Sequence, residues 1–105
     1  MANLARINYN TELTKLLRKC KTLGITVKFV PDFATRDYVG MNSEAAKELG
    51  YPMPHNTIYI DNNLSTEATY HTLKHELDEM TEMKTRGTRY WDAHCHALAT
   101  EKEPV

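Results

Sequence analysis

One segment constrains the fold of this chain more than any other: the run from Ser65 to Gly87, where apolar and ionisable residues sort onto different sides of a single helix. At 100° per residue, with His71 as origin, His75 falls at about 40°, Glu79 at about 80° and Glu76 at about 140°. Tyr70, Leu73, Leu77 and Met80 gather between about 180° and 260°. Lys74, Asp78 and Thr81 fill the remaining arc, where a solvated stripe belongs. With Ser65 as N-cap and Gly87 as stop, the spacing predicts a helix at roughly 66–85.

The polar side of that helix carries metal-binding chemistry. Side chains four residues apart stack on one face, so His75 and Glu79 can reach the same ion. Glu76 points to the side of that pair, which suits it to hold a water without taking a coordination position. That is the general-base role in H-E-x-x-H metallohydrolases, and here the motif reads H-E-x-x-E. A catalytic zinc needs a third protein ligand and an open fourth position. The segment Arg89 to Glu101, with Thr88 as N-cap, places Tyr90, Ala93, His94, Ala97, Leu98 and Glu101 on one side. His94 is therefore the expected third ligand, with Glu101 or His71 as substitutes. His96, about 200° away on the wheel, faces elsewhere. Tyr90 either donates its hydroxyl into the site or packs. His55 reads as a loop residue. Two imidazoles and one carboxylate are the composition of thermolysin-type zinc sites.

The stretch Thr57-Ile58-Tyr59-Ile60-Asp61-Asn62-Asn63-Leu64-Ser65, followed by Thr72-Leu73-Lys74-His75-Glu76-Leu77, resembles the strand, loop and active-site helix of minimal zincin metallopeptidases of the ImmA/IrrE type. The resemblance covers about 30 residues, and Glu79 stands where that family has its second histidine. Tyr90, Ala93, His94, Ala97 and Glu101 are similar to small H-E-x-x-E zincin-like proteins, many of them phage-encoded. The resemblance implies an α+β fold with a small antiparallel sheet packed against helices. It also implies Zn2+ as cofactor and a protein or peptide as substrate. In zincin-like folds the strand before the active-site helix is an edge strand to which substrate adds, a role that Thr57, Ile58, Tyr59 and Ile60 would take. The implied reaction is amide hydrolysis with Glu76 as base. A second carboxylate near the ion points to narrow rather than broad proteolysis. The rival reading is a catalytically silent binding module that uses the metal structurally.

Elsewhere the chain reads simply. Asn8 to Leu23 predicts a helix stopped by Gly24, and Ile25 to Val30 a strand ended by Pro31-Asp32. Tyr38-Val39-Gly40-Met41 reads as a loop or short strand, Ser43 to Leu49 as a helix closed by Gly50, and 57–61 as a strand. The 105 residues predict one domain. Cys20 and Cys95 lack C-x-x-C spacing, which with no signal peptide points to a reducing cytoplasm, that of a bacterial host if phage-encoded. No apolar run reaches membrane-spanning length. A net charge of −1, from 13 basic and 14 acidic residues, argues against nucleic acid as partner. The cluster Lys15, Arg18, Lys19 and Lys21 reads as a charged helix face. Glu101 to Val105 read as a frayed end.

Overall fold

The computed structural model describes residues 7–31 and 39–101. The expectations for Asp32, Tyr38 and the last four residues lie outside them. In chain order the elements are α1 (Tyr9–Thr22), β1 (Thr26–Val30), β2 (Gly40–Asn42), α2 (Ser43–Leu49), β3 (Thr57–Asp61), α3 (Thr66–Arg86) and α4 (Tyr90–Thr100). The class is α+β.

The local signals act as their chemistry requires. Ser65 Oγ accepts the Ala68 N–H at 3.1 Å and opens α3. Gly87, with φ of 68°, takes the left-handed conformation that ends it. Asn8 caps α1 by accepting the Thr11 N–H at 3.2 Å. The last helix departs from expectation. Its N-cap is Arg89, which makes no side-chain capping bond, and not Thr88. The capping acceptor comes instead from α2: Glu48 Oε1 accepts the Tyr90 N–H at 3.0 Å and the Arg89 Nε–H at 3.1 Å.

The sheet corrects a larger expectation. Its order is β1-β3-β2, with β1 parallel and β2 antiparallel to β3, so it is mixed rather than antiparallel. Hydropathy alternation carries no information on strand direction, whereas connections do: the chain leaves β1, passes through β2 and α2, and re-enters at Thr57 running the same way. The strand before α3 is therefore the central strand. Thr57, Ile58 and Ile60 are buried, and both backbone edges of β3 are occupied by neighbours. A signal for this was present in Thr57-Ile58-Tyr59-Ile60, an uncharged run of strand formers, in contrast to β1, which carries Lys28 and is largely exposed.

Alternation in β3 gives the sheet two different sides. Ile58 and Ile60 join Leu16 and Cys20 of α1 and Tyr70, Leu73, Leu77 and Met80 of α3 in the main core. Fully burying one such aliphatic side chain contributes about 1.5–3 kcal/mol, so the apolar stripe of α3 locks its rotation and thereby aims its polar side. Tyr59 and Met41, paired across the strands, face the other way with Ala45 and Ala46 of α2. No helix among the described residues is long and apolar enough to cross a membrane.

Candidate metal centre

With the apolar stripe of α3 buried, His75, Glu76 and Glu79 are turned towards α4 and β2. The structure brings His75, Glu79 and His94 together into a cluster that could hold a metal ion. His75 Nε2 lies 3.1 Å from Glu79 Oε2 and 3.0 Å from His94 Nδ1, and His94 Nδ1 lies 3.0 Å from Glu79 Oε2. Three donor atoms thus form a nearly equilateral triangle.

Protons alone satisfy this triangle poorly. Three contacts at hydrogen-bond distance call for three hydrogens, and two ring nitrogens bring at most two. If both nitrogens are protonated, their mutual contact becomes repulsive. One cation facing all three lone pairs removes the conflict. Tetrahedral zinc, with bonds of about 2.0–2.2 Å, sets its ligand atoms about 3.3–3.6 Å apart, so the observed triangle needs to open by only a few tenths of an ångström. The donor set fits.

Burial and charge agree with this. His75 and Glu79 are buried, and His94 is partly open to solvent. Burial is the largest single influence on His75 and works against its charged form. The hydrogen bond from its ring to Glu79 and the charges of Glu76, Glu79 and Glu101 outweigh it and raise its pKa. Burial, and then the charge of Glu79, push the Glu76 carboxyl well above the usual carboxylate range, against the opposing His75 and Asn42. Without a cation this crowding favours the protonated form of Glu76, and a cation in the triangle would favour its ionised form.

Glu76 lies outside the triangle but on the same cavity, a space of about 210 Å³ also lined by Val39, Gly40, Thr72, His75, His94, Leu98 and Glu101. Glu101 Oε1 stands 3.6 Å from His75 Nδ1, on the ring nitrogen that faces away from the triangle. The Tyr90 ring lies 5.5 Å from that of His94 and packs against the smaller apolar cluster. Trp91 stacks on His94 at 5.5 Å.

Other candidates are placed elsewhere. His71 is set apart, with Nε2 3.3 Å from the Tyr9 hydroxyl and the two rings edge to face, so it is no substitute ligand. His96 faces outward as expected and meets Glu82 at 2.8 Å. His55 sits exposed in the turn before β3. Thr57, Ile58, Tyr59 and Ile60 do not offer a free edge to a substrate, because β1 and β2 already pair with both sides of β3.

Two residues at the site escaped sequence reasoning. Asn42, fully buried, donates from Nδ2 to Glu76 Oε1 at 3.0 Å and to Glu79 Oε1 at 2.9 Å. Gly40 lets β2 lie close on α3: a Cβ there would meet Thr72 Cγ2 at 2.6 Å. An asparagine before Ser43-Glu44 is in itself a helix-cap signal, but nothing local marks its reach to α3.

No protein-family profile, curated protein or solved structure matches the chain.

Proposed function

We propose that the protein is a zinc-dependent, metallopeptidase-like hydrolase of narrow specificity, with His75, Glu79 and His94 as ligands and Glu76 as general base. The observation that carries this reading is the position of Glu76, next to a ligand in the chain, outside the donor triangle and on the wall of the same cavity. Two imidazoles and a carboxylate favour zinc over hard cations such as magnesium or calcium, which prefer all-oxygen sites. When bound, zinc supplies a Lewis-acid centre that polarises a carbonyl and makes water more acidic. Glu76 lines the cavity and, once a bound cation favours its ionised form, would take a proton from water there and return it to a leaving nitrogen. A peptide would be held along β2, the sheet edge that carries Gly40 at the cavity wall, in place of β3.

One observation favours the rival reading of a silent binding module: Glu76 is nearly shut off from solvent and already engaged by Asn42. Glu76→Gln separates the two. The substitution should keep zinc and fold while cutting peptide turnover by about 10²- to 10⁴-fold, the usual worth of a general base. Zinc-loaded wild type and variant are incubated with a peptide library and cleavage is read by mass spectrometry. Cleavage by wild type alone supports the hydrolase. Should both leave every peptide intact yet hold the same protein partner equally well, the binding module is the function.

A further inference from the structure

We infer that Asn42 is a positioning residue that makes Glu79 a one-oxygen ligand, by holding its second oxygen away from the metal. The inference rests on the metal reading above but concerns a residue outside the ligand set.

The hydrogen bonds of Asn42 leave its amide one sensible orientation. Oδ1 accepts the Ala45 N–H at 2.9 Å and caps α2, while the two Nδ2 hydrogens go to Glu79 Oε1 and Glu76 Oε1. A flipped amide would face an oxygen towards two carboxylates and an N–H₂ towards an N–H donor. Glu79 is thereby divided. Its Oε1 is occupied by Asn42, and its Oε2 is the oxygen within 3.1 Å of both imidazoles. A carboxylate free to rotate would offer both oxygens to one ion and raise the coordination number. Asn42 opposes that rotation, and the same amide ties Glu76 to the ligand it neighbours, so the spacing between base and ligand is set by one side chain. Asn42 is itself immobilised, fully buried at the junction of β2 and α2. Partners of this kind commonly govern metal affinity as strongly as a ligand's own geometry does.

The two tasks of Asn42 can be separated, because serine and aspartate cap helices as well as asparagine but carry no amide donor. Asn42→Ser and Asn42→Asp are compared with wild type by zinc titration, by the visible spectrum of the Co2+-loaded protein, and by amide exchange of α2. The expected result is retained protection at Ala45 and Ala46, with zinc affinity reduced about 10- to 100-fold. The cobalt bands should also weaken, since a five-coordinate ion absorbs less strongly than a tetrahedral one. Unchanged affinity and spectrum in both variants would overturn the inference while leaving the metal reading intact. Loss of the fold in both would also overturn it, since the amide would then serve the core rather than the ion. A wild type that binds neither Zn2+ nor Co2+ overturns the metal reading, and this inference with it.

Discussion

Gly40→Ala tests whether the close contact between β2 and α3 builds the site. The added methyl would stand 2.6 Å from Thr72 Cγ2, 3.2 Å from Glu76 Cγ and 3.4 Å from the Tyr59 carbonyl oxygen. Carbon atoms in good contact sit about 3.5–4.0 Å apart, so the first distance is short by about 1 Å. Thr72 is β-branched and held in a helix, which limits the rotations that would relieve the clash. The strand must therefore lift or the helix must shift. Overpacking of this kind costs about 1–3 kcal/mol. In urea, with a slope of about 1–2 kcal/mol per molar, a loss of about 2 kcal/mol moves the unfolding midpoint down by about 1–2 M. The metal-free protein is the right sample, because bound metal would mask the loss. Thr72→Ser removes the offending Cγ2, so the Gly40→Ala/Thr72→Ser double variant should recover most of the deficit, with a coupling of about 0.5–3 kcal/mol. A Gly40→Ala protein as stable as wild type, or a double variant that recovers nothing, would refute the close-approach reasoning.

Removing any of His75, Glu79 or His94 as alanine should release zinc and loosen α4, whereas His96→Ala should do neither; elemental analysis checks this, and one zinc per chain in both His75→Ala and His94→Ala would refute the ligand set. Glu48 has its pKa lowered from 4.5, first by the Tyr90 N–H bond and then by Arg89. A depressed carboxylate adds stability above its unfolded value and loses it as pH falls through the folded one. The protection of amides at the start of α4, corrected for the intrinsic pH dependence of exchange, should therefore fall on acidification below 4.5, and Glu48→Gln should flatten that dependence. Burial pushes the Cys20 thiol up to about 11, while Cys95 is exposed, so a thiol reagent at neutral pH should label Cys95 alone in the native protein and both cysteines in denaturant. Tyr59→Pro should abolish the circular dichroism of the folded state, because a proline inside a central strand removes a ladder bond; a folded variant would contradict the assigned sheet order.

What the sequence made legible was whatever is written locally. Ser65, Gly87 and the sorting of Tyr70, Leu73, Leu77 and Met80 against His75 and Glu79 are all contained within one helix, and the wheel resolved them. His94 was legible because a second amphipathic helix follows at once and can only fold back. Asn42, Gly40 and Glu48 act across separations of 32 to 42 residues, at which no periodicity survives. The order of the strands was hidden for the same reason. Its one trace, the absence of charge from Thr57 to Ile60, is compositional and does not say which neighbours the strand has.

The capping of α4 from α2 has a consequence for how this protein fails. Starting at Glu79, contacts run to Asn42, through α2 to Glu48, on to the Tyr90 N–H, along α4 to His94, and back to Glu79. This is a closed circuit of polar contacts, each of which needs its neighbours in place. A circuit has no loose end from which to fray. Damage at the solvent-facing Glu48 would therefore reach His94 one turn into α4, and loss of a cation from the triangle would loosen α2, which contributes no donor to it. Such a protein should lose its site in one step rather than residue by residue, and heat, acid and chelation should converge on the same melted ring.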